Sequence, residues 1–282
     1  MTTTMSFRRL GIAIVIAAGM LGAAWAAESV FIPNFWDPGA RPEKPDLGAV
    51  RVIRFITDDE YPPMHFARGD GTPTGFSVDL AQAACEKLAV ACTIQVRRFE
   101  ALLDALAEGR GDAIAAAIPT TAQLRERFAV TNPYHRMPAR FAARKGASLP
   151  APSPASLAGH TVGVVGNSAH EAYITDFFPK ADRRRFIDFA AARGALRRGE
   201  IDYLFADGLT LALWLGGADA AECCVFVGGP YMSIRYFGEG VGFIVRREDE
   251  ALRRALDYAL QKLWDDGVYT ELYLRNFPVS FY

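Results

Sequence analysis

Short apolar segments alternate with amphipathic segments along most of the chain, and this alternation constrains the fold more than any other feature. Apolar spacing typical of helices occurs at 78–88, 99–107 and 248–264. Strands that alternate with helices form sheets with mainly parallel pairing. The sequence therefore predicts an α/β fold. Its strands are predicted at 50–57, 92–96, 113–118, 161–165, 201–206 and 241–245.

The first 26 residues have the features of a secretory signal peptide. Arg8 and Arg9 precede an apolar run at 10–24, and a small-x-small triplet ends at Ala26. An uncleaved membrane anchor is the alternative, but the run is shorter than the roughly 20 apolar residues that a spanning helix needs. We therefore expect cleavage after Ala26 and export to the periplasm. Removal of 1–26 changes the net charge from −1 to −3.

Residues 27–49 form a Pro-rich N-terminal arm without helical or strand periodicity. Its aromatic residues are Phe31, Phe35 and Trp36. Because exposed apolar clusters are uncommon in monomers, we expect these rings to pack on the body of the protein. A partner protein is the alternative site for them.

Export changes the interpretation of the four cysteines, because disulfides form in oxidising compartments. Cys85 falls late in a predicted helix and Cys92 begins the next predicted strand, so a bridge between them closes a small loop. Two buried free thiols are the alternative. Neighbouring Cys223 and Cys224 can bridge only through a strained eight-membered ring. We expect separate packing roles for this pair, and the sequence leaves open whether they are bridged or free.

Ordered blocks of sequence resemble one known family. They occur at 61–64, 70–80, 106–114, 121–134, 163–168, 199–207, 240–243 and 266–269. Together they resemble the extracellular solute-binding proteins of family 3, which serve ABC importers of polar amino acids. The likeness covers about residues 50–277. The spacing of Cys85 and Cys92 is also similar to a disulfide of some members, which supports that bridge.

The resemblance implies a two-lobed periplasmic binding protein fold of type II. Each lobe would be a mainly parallel sheet flanked by helices, and two crossing strands would join the lobes. Lobe 1 would comprise 50–137 and 234–282, and lobe 2 would comprise 138–233. A ligand that contacts both lobes only when they close shifts the population toward the closed form.

The resemblance also implies site residues. Tyr61 matches the aromatic residue that covers the ligand, and a surface turn is its alternative role. Asp207 matches the acceptor for the ligand's ammonium group, and capping the next helix is its alternative. Ser168 matches a hydroxyl donor at a helix start, where it would also act as an N-cap. Further ligand-binding positions are Asp59, Ala117, Thr121 and Arg125.

One expected residue of the family site is missing. The arginine that clamps the ligand's carboxylate is replaced by Leu124, and Ala116, Ala117 and Pro119 stand where hydroxyl donors are expected. Arg125 is adjacent, but one step along a helix rotates a side chain by about 100°. Loss of the guanidinium should cost about 2–5 kcal/mol of binding free energy. We therefore expect standard L-amino acids to bind weakly.

These features predict a periplasmic receptor that captures a small polar or amine-bearing solute and delivers it to an ABC importer. Its partners would be the small-molecule ligand and the transporter membrane subunits, and the receptor would be a monomer. Nucleic acid is excluded as a partner because 31 basic residues are balanced by 32 acidic ones. No cofactor or metal is expected, because no metal spacing is present.

Two alternative functions remain at this stage. One is a binding-protein-like subunit that serves a periplasmic protein partner, and the other is a dehydratase-type enzyme on the same fold. Candidate acid–base groups form no recognisable dyad, so no catalytic residue is assigned and we expect a protein without enzymatic activity. These candidates are Glu60, His65, His135 and His170.

Overall fold

The computed structural model describes Met1 and residues 30–37, 39, 43, 45–48, 50–277 and 280–282. The predicted signal peptide lies outside the described residues, apart from Met1. Within the described part of the chain, no helix is both long and apolar enough to cross a membrane.

The described elements alternate between strands and helices, as the sequence predicts. The strands are β1 (Val52–Thr57), β2 (Glu60–Tyr61), β3 (His65–Ala67), β4 (Pro73–Thr74), β5 (Ala91–Val96), β6 (Ala113–Ile114), β7 (Phe128–Val130), β8 (Ala139–Arg144), β9 (Thr161–Val165), β10 (Asp182–Phe186), β11 (Tyr203–Asp207), β12 (Cys224–Tyr231) and β13 (Ile244–Arg246). The helices are α1 (Phe76–Leu88), α2 (Leu102–Ala107), α3 (Ala122–Arg127), α4 (Ala169–Phe177), α5 (Phe189–Arg198), α6 (Gly208–Gly216), α7 (Ile234–Phe237), α8 (Glu250–Asp265) and α9 (Val268–Asn276).

Two five-stranded sheets organise the molecule. Their strand orders are β5-β1-β6-β13-β7 and β10-β9-β11-β8-β12. In each sheet, one strand runs against the other four: β13 in the first and β8 in the second. Helices pack on both sheets. The predicted α/β fold with two mainly parallel sheets is confirmed.

The chain crosses between the sheets twice. It leaves the first sheet after β7 and enters the second at β8, and it returns between β12 and β13. The two crossing segments meet at His135 and Val241, where the Val241 amide donates to the His135 carbonyl at 2.7 Å. The two predicted crossing strands are therefore present, while the predicted lobe limits at 137/138 and 233/234 stay predictions.

Two predicted strands differ in extent. The segment predicted as a strand at 113–118 is a strand only at Ala113–Ile114. Beyond it the backbone turns, and the Ala117 amide donates to a side chain instead of a neighbouring strand. The strand predicted at 241–245 begins at Ile244, because Val241 pairs with the other crossing segment and not with the sheet.

The described part of the N-terminal arm packs on the body, as expected from its aromatic residues. Trp36 is 6% exposed, and its ring centroid lies 4.9 Å from that of Tyr269 and 5.4 Å from that of Trp264. The guanidinium of Arg136 lies over the Phe35 ring. The arm therefore covers apolar surface formed by the helices at the end of the chain.

Both cysteine pairs form disulfides. The Cys85–Cys92 bridge joins the end of α1 to β5, as predicted. The expectation of separate roles for Cys223 and Cys224 is wrong, because these neighbours are also bridged. The surrounding fold holds both backbones in place: the Cys223 amide donates to Ala220, and the Cys223 carbonyl accepts from Lys145.

Trp36→Ala should lower the free energy of unfolding by about 3 kcal/mol, because it removes a buried indole from a well-packed aromatic contact. Denaturant unfolding of the mature chain measures the change. Phe31→Ala is the matched control, since Phe31 is 59% exposed. Equal effects of the two substitutions would show that the arm does not contribute through this anchor.

Candidate functional site

The candidate site begins at the carboxyl end of β11, where Asp207 caps α6. The Asp207 Oδ1 accepts hydrogen bonds from the Thr210 amide at 2.8 Å and from the Thr210 hydroxyl at 2.9 Å. An apolar strand followed by an aspartate and a glycine is a typical helix start, since the carboxylate satisfies free amides of the first turn. The capping role considered for Asp207 is thus present.

Tyr61 reaches the same place from β2, a strand of the small three-stranded sheet β2-β3-β4. Its hydroxyl donates to the Met137 Sδ at 3.7 Å, next to the first crossing segment. Burial and the nearby negative charge of Asp207 raise the pKa of Tyr61, while a hydrogen bond with Thr210 lowers it. The phenol is therefore a neutral donor at physiological pH. The structure brings Tyr61 of this small sheet close to Asp207 of the second five-stranded sheet.

The Asp207 carboxylate has no cationic partner in this position. None of the ion pairs among the described residues includes Asp207, and burial raises its pKa above the usual range. The hydrogen bonds from the α6 amides and Thr210 offset this effect only in part. A partly desolvated carboxylate without a counterion is costly, so a cation next to Asp207 would be stabilising there.

A groove of about 470 Å³ lies beside this contact. Tyr61 and Pro62 line it from one lobe and the first turns of α5 and α6 from the other, including Thr210. Its walls are mainly apolar, as is common for small-molecule sites. The lining also includes an Arg193–Asp219 ion pair at 3.1 Å. The apolar side chains of α5 and α6 that line it are Phe189, Leu209, Leu213 and Trp214.

The region expected to hold a ligand carboxylate contains no free donor from the residues that usually supply one. Leu124 is 7% exposed and packs in an apolar cluster. The Ala117 amide donates to the His65 Nε2 at 2.9 Å, and the His65 Nδ1 lies 3.0 Å from the Asp58 Oδ1. The Ala117 amide therefore donates its hydrogen bond to His65, and it is not available to donate to an anion.

The sequence did not predict the hydrogen bond between His65 and the Ala117 amide. The residue lies in β3, and its contact with Ala117 joins positions 52 residues apart. No local spacing indicates such a contact. The one available signal was a histidine placed four residues after Tyr61, opposite it across a two-strand pairing.

The other predicted site residues already cap helices, form an ion pair or lie in a separate groove. Thr121 caps α3 by accepting from the Leu124 amide, and Ser168 caps α4 by accepting from the Glu171 amide at 3.1 Å. Arg125 forms an ion pair with Glu239 at 2.6 Å. Asp59 is exposed and lines a separate groove with Phe99. Ligand-binding roles for these four residues stay predictions.

The candidate acid–base groups are dispersed. Burial lowers the pKa of His135 to about 3 and that of His170 to about 4, so both rings are neutral at physiological pH. Glu60 is exposed at the surface. Among the described residues, no group of three or more His, Cys, Asp or Glu side chains is placed to hold a metal ion.

Asp207→Asn should raise the free energy of unfolding at pH 7.5 by about 1 kcal/mol, since asparagine keeps the cap without the uncompensated charge. The folded-state pKa of Asp207 is raised, so the stability that its protonated form contributes at low pH is lost as pH rises through that value. The gain should therefore shrink toward pH 4. Denaturant unfolding across this range measures it.

Asp207→Ala is the control for the cap, because it removes both the charge and the hydrogen-bond acceptor. It should be less stable than Asp207→Asn by about 1 kcal/mol. A loss of stability in Asp207→Asn at pH 7.5 would contradict the uncompensated charge.

Comparisons with known proteins agree with this architecture. The L-arginine-binding protein of Pseudomonas aeruginosa is 31% identical, over 84% of this chain and 92% of the relative. The putative ABC transporter arginine-binding protein 2 of Escherichia coli is also 31% identical, over 81% and 92%. The second substrate-binding domain of Lactococcus lactis GlnP, in an open conformation, has a TM-score of 0.71 at 19% identity, covering 84% of this chain and 99% of that one.

An ancestral cationic amino acid solute-binding protein has a TM-score of 0.65 at 25% identity, covering 80% of this chain and 96% of that one. The sequence model of one protein family, the bacterial extracellular solute-binding proteins, family 3, matches residues 53–279 of this chain. The chain belongs to this family.

Proposed function

We propose that this protein is a periplasmic receptor that binds a small amine-bearing solute between its lobes and delivers it to an ABC importer. The observation that carries the proposal is the half-buried carboxylate of Asp207, which forms no ion pair with any described residue and lies beside Tyr61. A bound ammonium or guanidinium group would supply the missing charge. The two curated relatives are named for arginine, whose side chain is such a cation.

The proposed ligand needs no α-carboxylate. Leu124 is buried where the family resemblance places an arginine, and His65 already binds the Ala117 amide. Arg125, the nearest guanidinium in sequence, is paired with Glu239. A ligand carboxylate would therefore lose water without gaining a bidentate partner. The groove beside Tyr61 offers apolar walls for the body of the solute.

Lobe closure would follow from contacts with both sides. Asp207 belongs to β11 of the second sheet and Tyr61 to β2, which follows β1 of the first sheet, so a cation between them would bind the closed form more tightly than the open one. The difference in affinity sets how far the population moves. This closed form is the one that membrane subunits of an importer would recognise.

The proposal includes no catalytic step. His135 and His170 are neutral and buried, and His65 is held between Asp58 and Ala117. General acid–base catalysis needs a group whose pKa lies near the working pH and which reaches the substrate. The relatives above are named as binding proteins or domains.

We expect each decarboxylated amine to bind at least as tightly as its parent amino acid. Calorimetry on the mature chain would compare agmatine with arginine, cadaverine with lysine, and histamine with histidine. Asp207→Asn should abolish the binding, because the countercharge is gone. Asp182→Asn, an exposed aspartate of the same lobe, is the matched control.

Two results would contradict this proposal. Submicromolar affinity for arginine with a 30-fold or greater loss for agmatine would show that another group clamps the carboxylate. Unchanged affinity in Asp207→Asn would show that the cation binds elsewhere.

Export through a cleaved signal peptide is part of the proposal. The full chain expressed with a functional secretion system should yield a periplasmic species that begins at Ala27, which intact mass and N-terminal sequencing measure. A full-length species that stays with the membrane fraction would instead show an uncleaved anchor.

A further inference from the structure

A buried arginine at the start of β8 has no charged partner. Arg140 is 8% exposed, and its Nη2 donates to the Gly228 carbonyl at 3.1 Å. The guanidinium carbon lies 4.4 Å from the centroid of the Phe226 ring. The Nε is buried and has no hydrogen-bond partner. One carbonyl and one aromatic face are weak compensation for a buried cation.

Two other arginines, Arg54 and Arg246, have carboxylate partners. Arg54 pairs with Asp112 at 2.7 Å, and Arg246 pairs with Asp249 at 2.6 Å, although both are more exposed than Arg140. No ion pair among the described residues includes Arg140, and burial lowers its pKa. The protein thus leaves a costly buried charge uncompensated.

Arg140 does not reach Asp207, the carboxylate one position along on the paired strand, because the two side chains leave the sheet on opposite faces. Arg140 lies opposite Ala206, and the next position, Asp207, lies opposite Ala139. Successive side chains on a strand point to opposite faces, so Arg140 and Asp207 lie on different faces of the sheet. The two charges therefore do not neutralise each other.

Arg140 lines a cavity of about 540 Å³. The charged side chains in its lining are Arg140 and Lys145, and both are cationic. Lys145 is half exposed, and its contact with Glu222 is long, at 4.0 Å. Ser280 and Tyr282, near the end of the described residues, also belong to the lining.

We propose that this cavity binds a small oxyanion, a carboxylate or phosphate group, through the guanidinium of Arg140 with Lys145 as a second cation. A guanidinium presents paired donors that match such groups in bidentate geometry. The hydroxyl of Ser280 supplies a further donor in the lining. The site is distinct from the one at Asp207, because it selects the opposite charge on the opposite face of the sheet.

The location connects the site to both lobes. Strands β8 and β12 and helix α6 provide most of the lining. Lys145 just after β8 and the tail residues Ser280 and Tyr282 provide the rest. The tail residue Phe281 is buried in the apolar cluster of the first sheet with Phe55 and Phe243. The Tyr282 hydroxyl donates to the Arg136 carbonyl in the first crossing segment. A bound anion would therefore contact the second lobe and the tail together.

Thermal unfolding of the mature chain in sodium phosphate, sodium acetate or sodium chloride at equal ionic strength tests the proposal. We expect phosphate or acetate to raise the melting temperature with a saturable dependence, as mass action requires. Arg140→Gln should abolish this shift. Arg197→Gln is the matched control, since Arg197 is an exposed arginine of the same lobe and should keep the full shift.

Several outcomes would overturn the proposal. An equal shift in Arg140→Gln would mean a general salt effect. No shift beyond that of chloride in the wild type would mean that Arg140 is a structural cation. If Arg140→Gln does not fold, calorimetry of the wild type with phosphate decides: one saturable site, weakened in Lys145→Gln, supports the site, and its absence refutes it. None of these results depends on an amine bound at Asp207.

Discussion

The paired crossing segments are the constraint on which the rest of this structure depends. The His135 and Val241 backbones bond to each other, and nearby amides at Thr120, Thr131 and Tyr134 donate to carbonyls of the returning segment. These bonds replace sheet pairing at the point where the chain leaves each sheet. Because β13 and β8 both follow a crossing, each enters its sheet against the direction of the other strands. The same pairing encloses the His135 ring among aromatic side chains, where it stays neutral.

Two charged residues of opposite sign, the half-buried Asp207 and the buried Arg140, lie one residue apart in register near the crossing segments. They occupy adjacent positions of paired strands, but the pleat directs them to different faces. Neither forms an ion pair with a described residue, and each lines or adjoins a groove. The sheet would therefore separate the proposed cation site from the proposed anion site. Both proposals rest on the free-energy cost of desolvating a charge that has no partner of opposite sign.

The sequence predicted the elements whose signals are local. Periodicity located α1, α8 and β9 because each has its own apolar face or run. It misjudged the strands at 113–118 and 241–245, because their limits depend on partners far away in the chain. Tyr61 and Asp207 were named through family resemblance, whereas the pairing of His65 with Ala117 and the isolation of Arg140 required the three-dimensional structure.

Leu124, which stands in place of the expected arginine, is part of an apolar core cluster of the first lobe. Leu124 is buried with Ile114, Ile118 and Phe128. An arginine at this position would place a charge against those side chains, at a cost of several kcal/mol unless a carboxylate paired with it. His65 and Asp58 likewise fill the space beside Ala117. The proposed change of ligand class therefore rests on at least these two features together, and restoring an arginine at position 124 would also require a carboxylate partner for it.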